Sequence, residues 1–138
     1  MKLFIVLLSV VFFLSCTKQA TPAKTLAENV DTSAMKIASG VFQNGPYGTV
    51  MGNGFLYKNF NGSYSILLDN FNSSNGPALF VYLSKEATPV NFIEAGKLKS
   101  TNGMQVYDLP TSTDILNYKY ICIHCKDYNH LFGFAQLK

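Results

Sequence analysis

The chain has 138 residues, with 11 basic ones, all lysine, against 8 acidic ones, for a formal net charge of +3 that becomes +2 if Lys2 leaves with the N-terminal segment. The lysines are scattered and no arginine is present to fork onto phosphate, which argues against a nucleic-acid partner. With two His and neither a GxSxG nor an HExxH motif, the familiar hydrolase constellations are hard to assemble.

At the start, Lys2 precedes an apolar run over residues 3–14 broken only by Ser9. That is shorter than the about 18–20 apolar residues of a membrane span. It has the length and flanks of a secretory signal's apolar core. The run ends Phe13-Leu14-Ser15-Cys16, which resembles the lipobox of bacterial lipoproteins. The expectation is a signal peptide over 1–15 and a lipid on Cys16. That lipid would anchor the chain to the bacterial cell envelope, at the outer membrane where the organism has one. Acyl chains bury at about 0.8 kcal/mol per methylene, so two or three hold a protein stably. The alternative is an ordinary signal cut near Ser15 with Cys16 left free. Residues 16–38 follow with sparse apolar side chains, one Pro and no aromatic, and read as a flexible tether. Residues 39–138 remain for one folded domain.

Within that domain, GFLYKNFNGSYSILL over residues 54–68 is the clearest local signal. Asn61-Gly62 suggests a two-residue type I′ hairpin turn. That register would pair Tyr57 with Ile66 and Phe55 with Leu68, and would put Phe55, Tyr57, Tyr64, Ile66 and Leu68 on one face. ALFVYLS over residues 78–84 is apolar on both faces and suits a central strand. Residues 105–109 alternate, residues 113–117 suit a single helical turn, and residues 118–125 and 131–137 form a closing hairpin. Short strands punctuated by Asn, Gly and Pro predict an all-β fold, an antiparallel β-sandwich or partly closed barrel.

The closing hairpin holds most of the chemically capable side chains, in YICIHCKDYNHLFGF. A two- or four-residue loop would set Cys125 opposite His130, Ile123 opposite Phe132 and Ile121 opposite Phe134. CIHC on a strand is a poor disulfide motif. Cys122 and Cys125 would face opposite ways with Cα atoms about 10 Å apart, and a disulfide needs less than about 7 Å. Lys126 stands where c-type haem attachment needs His. Non-covalent haem, with His124 or His130 as ligand, stays open. Zinc or copper would suit Cys122, His124, Cys125 and His130 by type. Alternation divides the four between two faces, so no metal site is assigned. The plain alternative for Cys122, His124 and His130 is core packing.

Gly52, Leu68-Asp69-Asn70-Phe71, NGPALFVYLS over residues 75–84 and Gly96-Lys97-Leu98-Lys99 carry a resemblance to a known family. It continues through Gly103, Tyr107-Asp108-Leu109-Pro110, Ile121-Cys122-Ile123-His124-Cys125, Tyr128 and FGFAQL over residues 132–137. Through these, residues 40–137 resemble the DM-thirteen domain, the DOMON-associated module of Skeletor-type and bacterial surface proteins. The resemblance implies an all-β domain with an electron-transfer or redox role. It also implies that Cys125, not Cys122, is the signature Cys, as a reactive thiol or as a residue that helps hold a prosthetic group. His124 stands where that family usually has Trp, and Ala78 where it usually has an acidic or amide residue. A protonated His130 opposite Cys125 would favour the thiolate, and burial would oppose it. No redox partner or cofactor is specified; haem and copper are the candidates. The other reading is a non-catalytic ligand-binding or cell-surface interaction module, with residues 70–76 as a contact loop.

Overall fold

The computed structural model describes residues 20–110 and 114–138. These residues form nine strands: β1 Leu26–Ala27, β2 Met35–Asn44, β3 Val50–Lys58, β4 Tyr64–Ser73, β5 Leu79–Ser84, β6 Phe92–Lys97, β7 Asn102–Asp108, β8 Tyr120–Cys125 and β9 His130–Gln136. A 3₁₀ turn at Ile115–Asn117 precedes β8. The strands make one sheet in the order β1-β7-β4-β3-β2-β9-β8-β5-β6. The short β1 runs parallel to β7, and the other pairs are antiparallel. β2 lies at the centre and serves both halves. Its residues 35–41 pair with β3 and residues 42–44 pair with β9. The sheet curls into a half-barrel, the all-β architecture that the short strands and turn residues implied.

The core lies inside the curl. Leu56, Ile66, Leu68 and Phe71 from β3 and β4 share one buried cluster with Val81, Leu83, Ile121 and Ile123 from β5 and β8. Each such side chain contributes roughly 1.5–3 kcal/mol when fully buried. A smaller cluster of Tyr82, Cys122 and Leu131 sits on the outer face, flanked by Phe80, Tyr120 and Phe134. As expected, β5 is an interior strand covered on both faces.

Two registers differ from the sequence reading. The β3–β4 pair joins Leu56 to Ile66 and Gly54 to Leu68. The loop is therefore Phe60-Asn61-Gly62, closed by the Asn59 N–H donating to the Ser63 carbonyl (2.8 Å). Asn61 does not adopt the positive φ of a type I′ turn. Its Oδ1 accepts from the Ser63 N–H (3.0 Å) and hydroxyl (2.7 Å), and Gly62 alone takes the left-handed conformation, at φ +84°. A one-residue slip exchanges the faces of a strand. Leu56 thus replaces Phe55 and Tyr57 in the core. In the closing hairpin, Cys125 does pair with His130, but Ile123 pairs with Gly133 and Ile121 with Ala135. Phe132 is the extra residue of a β-bulge. Phe134 moves to the outer face and Ala135 to the core.

Of the stretch read as a tether, residues 16–19 lie outside the described residues. From Ala20 onward the chain lies against the domain. Ala20 bridges to Pro77. The Thr21 N–H donates to Asn75 Oδ1 (3.1 Å), and Asn75 Nδ2 donates back to the Thr21 carbonyl (2.8 Å). Ser100 Oγ donates to the Lys24 carbonyl, and the Glu28 carboxylate accepts from the Val106 N–H (2.9 Å) and Lys99 (2.7 Å). Residues 35–38 already belong to β2. These attachments are mostly polar, which is why apolar content did not foretell them.

Candidate functional site around Cys125

Strand alternation sorts the side chains of β8. Ile121, Ile123 and Cys125 enter the main core, and Cys122 packs in the outer cluster. Both thiols are free and buried. The Cys122 thiol is directed at the Glu86 and Ala87 carbonyls (3.9 and 3.5 Å). Burial, with the Glu86 charge adding to it, pushes the Cys122 pKa up to about 12. It remains a neutral, space-filling thiol at ordinary pH.

Cys125 ends β8, 1 % exposed, between Leu79 of β5 and His130 of β9. Its Sγ donates to the Pro77 carbonyl at 2.9 Å. The segment before β5 is held over the sulfur at several points. Ala78 adopts φ +50°, and its carbonyl accepts from the Lys126 N–H (3.0 Å). Gly76 lies flat on the Phe132 ring, where a Cβ would come within 2.6 Å of Cζ. Outside this segment is a hollow of about 470 Å³ lined by Ala20, Asn75, Gly76, Pro77 and Tyr128. Pro77 thus lines the hollow, and its carbonyl accepts the hydrogen bond from the Cys125 thiol.

The pairing of Cys125 with His130 holds along the backbone, but the imidazole has other company. His130 stacks on Tyr47 with ring centroids 3.7 Å apart and planes 1° from parallel, and on Tyr128 at 5.9 Å. Tyr47 and Tyr128 are both largely exposed. His124, 5 % exposed, tilts against Tyr82 at 5.3 Å. Burial pushes the His124 pKa down, a hydrogen bond with Asn129 opposes this, and the His130 charge adds to the lowering. Its Nδ1 has no partner among the described residues. Among those residues, no three His, Cys, Asp or Glu side chains come together to hold a metal. With its sulfur in the core and bonded to Pro77, Cys125 does not present a cradle that fits haem or copper.

A family model described as electron transfer DM13 matches residues 42–137. The chain belongs to this family. No curated protein matches it, and no solved structure does. The DM13 match ends with β9 and includes Cys125, Pro77 and the Tyr47 stack; it begins within β2, after the N-terminal strap. The backbone at Ala78, where the resemblance led us to expect an acidic or amide residue, is unusual for alanine. A left-handed residue follows Pro77, and Asp or Asn tolerates that conformation better than Ala. Asp or Asn at position 78 would therefore suit this backbone better than the Ala78 that is present.

Sequence reasoning singled out Cys125, Cys122, His124 and His130 as candidates, and the structure divides the two Cys by face. It missed Pro77 as the thiol's acceptor, Asn75 as a clamp and Tyr47 as the partner of His130. The NGPA motif was visible; its contact with Cys125, across 48 residues of chain, was not. The proposed contact loop over residues 70–76 is partly β4, whose Ser73 is buried, and partly the Asn75 clamp. Cys16 and the signal segment lie outside the described residues.

Proposed function

We propose that this protein is an envelope-anchored lipoprotein whose DM13 domain takes part in electron transfer through the Cys125 thiol. The anchor rests on the lipobox-like ending at Cys16. The redox reading rests chiefly on the placement of Cys125, one residue's thickness below a surface hollow in a family described by electron transfer. Displacing the Asn75–Pro77 cover would expose Sγ to a partner docked against Tyr128. Cys122 lies in a different packed cluster, so among the described residues Cys125 has no second thiol with which to close a disulfide. That favours thiol–disulfide exchange with an external partner: the Cys125 sulfur attacks the partner's disulfide, that S–S bond breaks as the mixed disulfide forms, and the released partner sulfur leaves as the thiol with the Cys125 proton.

The test is an anaerobic titration of the reduced chain, as matured in its host, with ferricyanide. Wild type and Cys122→Ser should consume oxidant, and Cys125→Ser should lose that consumption. Equal consumption by wild type and Cys125→Ser would overturn the thiol reading. The anchor is read separately from the mass of the membrane-extracted chain, which should begin at a lipid-bearing Cys16.

A further inference from the structure

A second hollow, of about 600 Å³, shares no lining residue with the one over Pro77. It lies among the β3–β4 loop, residues 29–33 of the strap and the end of β7. One wall is Phe60, which is 91 % exposed and therefore adds almost nothing to the core. Much of the remaining lining is amide, hydroxyl and carboxylate.

Those polar groups are held in a fixed arrangement. Asn59 Nδ2 donates to Ser63 Oγ (2.9 Å) and Ser65 Oγ (2.8 Å), and Ser65 Oγ donates to Asp108 Oδ1 (2.9 Å). Both amide protons of Asn59 are thereby used, which leaves its Oδ1 as an acceptor. Asp108 keeps Oδ2, and Asn61, whose Oδ1 is occupied by Ser63, keeps the donors of Nδ2. Asp31 accepts from Ser33 through Oδ1; these bonds, side chain first and then backbone, hold its carboxyl below the usual range, so it is an ionised acceptor at neutral pH.

We propose that this hollow binds a neutral saccharide. The ligand that fits must both donate and accept through several hydroxyls, and must offer a C–H face to a bare aromatic ring. A sugar ring does both. Asp31 and Asp108, with no lysine in the lining, repel phosphates and other anions. The volume lies within the range of roughly 300–1,000 Å³ usual for small-ligand sites. This assignment is independent of any chemistry at Cys125.

The experiment is an NMR titration of the full chain, as matured in its host and isotopically labelled. The probes are maltose, cellobiose and N,N′-diacetylchitobiose, with glucuronic acid as the anionic control. At least one neutral probe should produce saturable amide shifts confined to residues 29–33, 59–65 and 106–108, and glucuronic acid should not. Phe60→Ala, on an exposed side chain, should leave the spectrum folded and weaken binding about tenfold, and Phe60→Tyr should restore it. Three results would overturn the proposal: no saturable shift with any neutral probe at millimolar concentration, saturation elsewhere on the surface, or binding unchanged by Phe60→Ala.

Discussion

Ala78 stores a backbone cost at the point where the chain turns over Cys125. A non-glycine residue at φ +50° is held there by its neighbours: the Lys126 N–H bonds its carbonyl, and Leu79 is locked into the core beside it. Left-handed backbone costs an ordinary L-residue roughly 1–2 kcal/mol, and Asn less. Ala78→Asn should therefore raise unfolding stability by about 0.5–1 kcal/mol in urea denaturation. His124 is a second residue held at a cost, a titratable ring that is buried. Its folded pKa lies below the ordinary 6.5, so folding disfavours its protonation. Its contribution is fully present above pH 6.5 and is lost as pH falls through the folded value. His124→Phe should flatten that acid limb in denaturation curves measured across pH. It also removes the unpartnered Nδ1, a cost of about 1–3 kcal/mol when a polar group is buried without a bond.

Among the elements, the strap and the turn before β5 depend on each other. Asn75 grips Thr21 through both its backbone groups, and Ala20 lies across Pro77. Removing two hydrogen bonds worth about 1 kcal/mol each should raise the open population about tenfold or more. Asn75→Ala should accordingly speed iodoacetamide labelling of Cys125 in the folded chain, while Cys122 stays unlabelled until denaturation. Mass mapping of the labelled peptides reads both. A variant whose Cys125 labels no faster than wild type would mean that the strap does not cover the thiol. The elements also show where sequence was readable. The closing hairpin and the interior β5 were legible because their apolar runs are bounded by turn residues. The β3–β4 register was not. Phe55 and Leu56 are adjacent apolar residues, as are Leu67 and Leu68, so either register buries a plausible face. What decided it was local: Asn61 spends its side chain on Ser63 and gives up the conformation that a two-residue turn needs.

For the whole molecule, the all-β class was legible in composition and periodicity. The strap was not, because it is attached by backbone groups, Glu28 and Asn75 rather than by an apolar stripe. The surroundings of Cys125 were legible only along its own hairpin; everything that arrives from residues 20–21, 47 and 75–78 depends on how the sheet curls. One feature of that curl bears on how the chain reaches its fold. β2 joins the two halves, but its partner in the second half, β9, is the last strand made, with nearly the whole domain between them. Pairings of such long range put folding toward the slow, millisecond-to-second end of the scale for small domains. Until β9 arrives, β2 and β8 each present an open strand edge in the middle of the eventual sheet, where edges invite mispairing. The central seam of the sheet therefore closes only once β9 has settled between β2 and β8.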